Sequence, residues 1–114
     1  MYIYKYVFGY NGHEYNIQKK RFEADETSKL YVIHGDIWRA TIHKSDIGKA
    51  LGYNKEVIYL LEDNIEIAKR KFIEIINKKI NDINSEIQEM HFRISSLKRE
   101  IKIIEDYKED TANE

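Results

Sequence analysis

Between Ile80 and Ile104 the apolar residues Ile80, Ile83, Ile87, Met90, Ile94, Leu97, Ile101 and Ile104 recur at spacings of three and four, alternating without a slip. That period is a heptad seam, a stripe on an α-helix too narrow to bury itself, which a second helix has to cover. No glycine or proline falls between Asn64 and Lys108, so a helix over 63–108 would run on the order of 65 Å at ~1.5 Å per residue. The residues upstream cannot cover that length. Before the seam, Ile65, Ala68, Phe72 and Ile76 are spaced three, four and four, a pattern suited to packing on a sheet. Asp63 and Glu66 form a capping-box pair, so the helix is expected to begin near Asn64. The run Asn81-Asp82-Ile83-Asn84-Ser85 is made of weak helix formers, and Ser85 with Gln88 forms a second capping-box pair. A helical hairpin turning there is the competing model; the heptad phase passing through unchanged favours one continuous helix.

Upstream the period changes to two. Tyr2, Tyr4, Tyr6, Phe8 and Tyr10 alternate with Ile3, Lys5 and Val7, placing aromatics on one face of a strand. Asn11-Gly12 predicts a type I′ hairpin turn, with 13–24 as the return strand. The polar stretch 25–28 leads to strands over 29–34 and 37–44 around Gly35-Asp36. Ser45 to Leu51, closed by Gly52, reads as a short helix over 45–51, and 56–61 as a further strand. The expected fold is α+β: an antiparallel sheet of four to five strands over 1–62, a long dimerising helix over 63–108, and a disordered acidic tail over 109–114.

Nineteen basic residues against twenty acidic ones give a net charge of -1, so no global field draws the chain to nucleic acid or to a membrane. There are no cysteines, which excludes disulfides, thiolate nucleophiles and cysteine-ligated zinc and fits a reducing cytoplasm. No apolar run approaches the ~20 residues of a membrane span. His13, His34, His43 and His91 are dispersed, the glycines fall singly at turns rather than in a phosphate-cradling loop, and the serines have no nucleophile context. Neither a catalytic constellation nor a metal or cofactor site is expected. Trp38 beside Arg39 is the one pairing that reads as a recognition element, because indole and guanidinium both favour planar ligands.

Charges flanking the seam discriminate orientation. Parallel pairing sets Arg93 against Lys98 and Glu100 against Glu105 of the other copy, two repulsive contacts. Antiparallel pairing sets Glu86 against Arg93 and Lys79 against Glu100, each twice by symmetry. An antiparallel homodimer is therefore expected, with its crossing near Ile87 and Met90. Such a crossing returns Arg99 of one copy toward Lys79 of the other, and a ligand pocket is expected from Phe72, Asn77 and Asn81 of one subunit with Arg99 and Lys102 of its partner.

The strand pattern from Tyr2 to Ile42, with the helical segment containing Phe72, Asn81 and Arg99, resembles the architecture of the phage anti-Thoeris signal sponges of the first Tad family. The resemblance implies a non-enzymatic protein of the host bacterial cytoplasm that sequesters a cyclic ADP-ribose-type nucleotide, with some members also taking cyclic oligonucleotides. It further implies that Phe72 stacks on adenine, Asn81 bonds base or ribose, and Arg99 with Lys102 holds the pyrophosphate. The alternative is a phage inhibitor of a host or CRISPR protein, binding it directly through the coiled coil or a sheet edge.

Overall fold

The computed structural model describes residues 1–109. It divides into two compact units, Met1–Ile76 and a second that begins at Asn77. The first unit is built on strands β1 (Tyr2–Tyr10), β2 (Tyr15–Glu26), β3 (Leu30–Ile33), β4 (Thr41–His43), β5 (Ala50–Leu51) and β6 (Val57–Leu60). These form one six-stranded antiparallel sheet in the order β4-β3-β2-β1-β6-β5. A single helix, α1 (Ile65–Glu105), follows.

The alternation of β1 places residues on two separate cores. Ile3 joins Phe22, Ala24, Tyr31, Ile33, Ile42, Val57 and Tyr59 in one buried cluster. Ile42 on β4 and Tyr59 on β6 lie four strands apart in the order, roughly 19 Å in a flat sheet at ~4.8 Å per strand. They share one core because the sheet curls over that face. On the opposite face Tyr6, Ile58 and Leu60 meet Ala68 and Phe72 from the first turns of α1, flanked by Tyr4, Phe8 and Ile17. The aromatic stripe thus ends up divided: Tyr6 is fully buried, Tyr4 and Phe8 are half-buried, and Tyr2 and Tyr10 at its ends are exposed.

Four local expectations are corrected. The β1–β2 register pairs Tyr10 with Tyr15, so the central turn residues are Gly12 and His13 rather than Asn11 and Gly12. Only Gly12 has positive φ, at 99°, while Asn11 Oδ1 accepts the His13 and Glu14 N–H groups at 2.9 and 3.0 Å. Type I′ needs positive φ at both central residues, so this turn is not of that class. The strand expected over 37–44 shrinks to Thr41–His43. The cause is Asp36, whose carboxylate takes the Trp38 N–H and holds the preceding loop off the ladder.

The helix expected over 45–51 is a single 3-10 turn, Lys44–Asp46, followed by β5. Gly48 sits at φ 79°, incompatible with α-helix, and its N–H donates to the Tyr59 carbonyl at 2.9 Å. That bond ties the segment to β6. The cap of α1 is Asn64, whose side chain accepts the Ile67 N–H at 3.2 Å. Asp63 is taken instead by Lys19 at 2.8 Å and by the Tyr6 hydroxyl at 3.2 Å. The same Tyr6 oxygen accepts the Asn64 N–H at 2.9 Å, so one buried phenol fixes where the helix leaves the sheet.

The hairpin model is set aside. Residues 81–85 are helical throughout, and the Ser85 hydroxyl donates to the Asn81 carbonyl one turn back at 3.1 Å. A serine that bonds back into its own helix satisfies its polar group there and does not cap a new one. The acidic tail expected over 109–114 lies, beyond residue 109, outside the described residues.

Candidate functional site

Two arrangements stand out, one in each unit. In the second, Ile80, Ile83, Ile87, Met90, Ile94, Leu97, Ile101 and Ile104 are all exposed, from 45% at Ile87 to 73% at Ile104. Ile73 and Ile76, earlier on α1 and in the same heptad phase, are exposed as well. Of the helix residues only Ala68 and Phe72 are buried. A folded chain leaves single apolar residues in water, but the eight of the second unit in one heptad phase make a patch of the kind that marks an association surface.

In the first unit a polar cluster sits on the curled face. Lys5 lies on β1 between Ile3 and Val7, and its register partner on β6 is Tyr59. Asp36, from the β3–β4 connection, receives three donors: Lys5 Nζ at 3.0 Å, the Trp38 N–H at 3.1 Å and the Tyr59 hydroxyl. Its side chain is only 2% exposed and that of Lys5 14%, so this is a largely covered ion pair whose carboxylate has its lone pairs satisfied. Trp38 covers the cluster, stacked on Tyr59 with ring centroids 6.3 Å apart, while the Lys5 ammonium lies 5.3 Å from the indole centroid. Arg39 lies 5.0 Å from the same indole.

The electrostatics of the cluster follow from that geometry. Burial pushes the Asp36 carboxyl upward, but hydrogen bonds from Tyr59 and Lys5 outweigh it and hold the group below the usual carboxylate range. The Tyr59 hydroxyl is pushed far above its ordinary value, first by burial and then by its bond to Asp36. A depressed carboxyl contributes stability that is present above about pH 4 and lost as pH falls; a raised phenol contributes stability present below about pH 10 and lost above it. The urea midpoint should therefore stay level between about pH 5 and pH 9 and drop on either side. Tyr59→Phe should shallow the alkaline drop, and an unchanged alkaline limb in that variant would reject the assignment.

The residues expected to bind a ligand are not gathered by one chain. Phe72, assigned to base stacking, is a core residue only 5% exposed, with the Phe8 ring centroid 5.8 Å away. Burying its ring is worth on the order of 1.5–3 kcal/mol, which makes Phe72 the clamp of α1 on the sheet. Asn77, Asn81, Arg99 and Lys102 are exposed. Asn77 and Arg99 lie 22 positions apart on α1, about 33 Å at ~1.5 Å per residue, so only a second copy could bring them together. Trp38 does stand beside a cation, but its indole already serves as the cover of the Asp36 cluster.

Sequence reasoning missed that cluster. The available signal was Lys5, an ammonium on the strand face that carries Ile3 and Val7, where burial demands a carboxylate partner. Among the described residues no group of three or more histidines and carboxylates is placed to hold a metal ion, and no helix is long and apolar enough to cross a membrane. Comparison with protein-family models, with curated proteins and with solved structures finds no match.

Proposed function

We propose that this chain is a non-catalytic binding protein that acts as a homodimer, with α1 of one copy paired antiparallel along α1 of another. The observation that carries the reading is the exposed seam of eight apolar residues from Ile80 to Ile104. In an antiparallel pairing centred between Ile87 and Met90, that seam closes completely: Ile73 meets Ile104, Ile76 meets Ile101, Ile80 meets Leu97, Ile83 meets Ile94, and Ile87 meets Met90 of the second copy. Every apolar position finds an apolar partner, and the flanking pairs Glu86–Arg93 and Lys79–Glu100 are attractive. Such exposed pairs contribute only about 0.3–0.5 kcal/mol each, so they select orientation while the seam drives association.

Direct binding of a protein target fits better than nucleotide capture. The sponge reading relied on Phe72 for the base, and Phe72 is buried in its own subunit. Asn77, Asn81, Arg99 and Lys102 supply polar contacts but no aromatic face.

Because the chain has no cysteine, orientation is testable by cross-linking. Ile80→Cys mixed with Leu97→Cys should give an oxidised species of two chains, whereas Ile80→Cys alone should give little. Efficient cross-linking of Ile80→Cys to itself would mean parallel helices, and no cross-link in either sample would remove the dimer.

A further inference from the structure

We propose that the outer edge of β2 is a docking site for an acidic, extended segment of a partner protein, which adds to the sheet as a further strand. The inference concerns a surface of the first unit and does not depend on the pairing of α1.

The register of the sheet leaves this edge open. β1 pairs with β2 from Tyr15 to Glu23, but β3 pairs with β2 only over Ala24–Glu26. The hydrogen bonds that exchange across β1 and β2 fix which residues face outward. Ala24 N–H donates to the Met1 carbonyl at 2.9 Å and Asn11 N–H to the Glu14 carbonyl at 3.0 Å. With alternation every second residue, Asn16, Gln18, Lys20 and Phe22 turn their backbone groups toward β1. Ile17, Lys19, Arg21 and Glu23 then point theirs away from it. The Glu23 carbonyl is taken by the His34 N–H at 2.9 Å, which marks where β3 takes over. Ile17, Lys19 and Arg21 present N–H and C=O groups along an edge that carries no strand among the described residues.

Open edges are hazards that proteins blunt with charge, lysine above all. Here the edge bears Lys19, Lys20 and Arg21 in succession, all exposed. Lys19 is paired with Asp63, so two such edges brought together antiparallel would set Lys20 and Arg21 of each copy, four cations, against one another, and a second copy is repelled. The same charges attract an acidic strand, which gains ladder hydrogen bonds and charge pairing together. The surface beside the edge supports this occupant. A depression of about 270 Å³ on the curled face is lined by Lys5, Val7, Gln18, Lys19 and Lys20. Lys5 is neutralised by Asp36, while Lys20 has the Phe22 ring beneath it at 5.1 Å and its ammonium exposed. On the other face Arg21 lies over Tyr2 at 4.4 Å. Alternate side chains of an added strand would meet one basic group on each face, and the stretch Tyr15–Phe22 offers roughly 26 Å of edge at ~3.3 Å per residue.

The test uses the full chain and a synthetic eight-residue peptide with four consecutive central glutamates flanked by valines, which puts carboxylates on both faces of an added strand, followed by fluorescence anisotropy and amide hydrogen exchange. The expected result is saturable binding, with slowed exchange at the Ile17, Lys19 and Arg21 amides. The same peptide N-methylated at alternate residues, to remove its ladder donors, should bind at least tenfold more weakly, and so should the unmethylated peptide to a Lys20→Glu, Arg21→Glu double variant. Equal binding of the methylated peptide would reduce the site to unspecific charge attraction and overturn the proposal. Absence of protection at those three amides, in the wild-type chain with saturating peptide, would overturn it independently of how the variant folds.

Discussion

Ile87→Asp should convert a two-chain species into single chains at micromolar concentration, as read by sedimentation equilibrium, with little loss of helical circular dichroism. Ile87 occupies the central layer of the proposed seam, opposite Met90 of the second copy, and symmetry places the substitution in the interface twice. Each copy loses the burial of an isoleucine, about 1.5–3 kcal/mol, and gains a carboxylate that dimerisation would strip of water. A total loss above about 4 kcal/mol weakens Kd at least a thousandfold, at roughly 1.4 kcal/mol per factor of ten. In the single chain Ile87 is already 45% exposed, so aspartate there costs the subunit only a helix-propensity difference of up to about 0.7 kcal/mol. Dimers that survive Ile87→Asp would show that the seam is not where the copies meet. A protein that loses its helix signal along with its dimers would show instead that α1 beyond the sheet depends on its partner.

The second large effect is expected at Asp36. Asp36→Ala should cost about 3–5 kcal/mol of unfolding free energy, because it strands the Lys5 ammonium on a buried face and leaves the Tyr59 hydroxyl and the Trp38 N–H without their acceptor. A unit of this size has few kcal/mol to spare, since folded domains hold roughly 0.05–0.15 kcal/mol per residue, and much of the population should unfold near room temperature. Asp36→Asn keeps an acceptor oxygen and removes only the charge, so it should fall between wild type and alanine. Urea titration followed by the fluorescence of Trp38, the single tryptophan, reads all three. A loss below about 1 kcal/mol in the alanine variant would mean that water replaces the carboxylate freely and that the cluster is not a closed ion pair.

Both predictions start from patterns that differ in how far a sequence can carry them. The heptad seam was legible because helix period and apolar residues repeat locally, and the continuous helix through Asn81–Ser85 followed from an unbroken phase. The six-strand sheet was legible in part: β1, β2, β3 and β6 were read near their observed places, since alternation and turn residues are also local. β5 and the truncation of the strand at Thr41 were not, because each depends on bonds to distant residues, Gly48 to Tyr59 and Asp36 to Lys5 and Tyr59. The packing role of Phe72 was hidden for a related reason. Its place two turns into the helix fits a sheet-packing residue and a pocket residue equally well, and only the presence of Phe8, Tyr6 and Ile58 opposite it shows the packing role.

What the sequence by itself determined is the set of one-dimensional periods: a two-residue alternation up to about residue 60, then a helix whose apolar stripe is too narrow to bury within one chain. The tertiary structure decided which groups meet across strands and across the curl of the sheet. It made Lys5 a half-buried cation with a carboxylate from a loop 31 residues away, turned Asp63 from a helix cap into an anchor for Lys19 and Tyr6, and left β2 with an open basic edge where β3 stops short. Those outcomes rest on which residues share a register and a face. Hydrogen bonding and burial fix that only when the whole sheet closes.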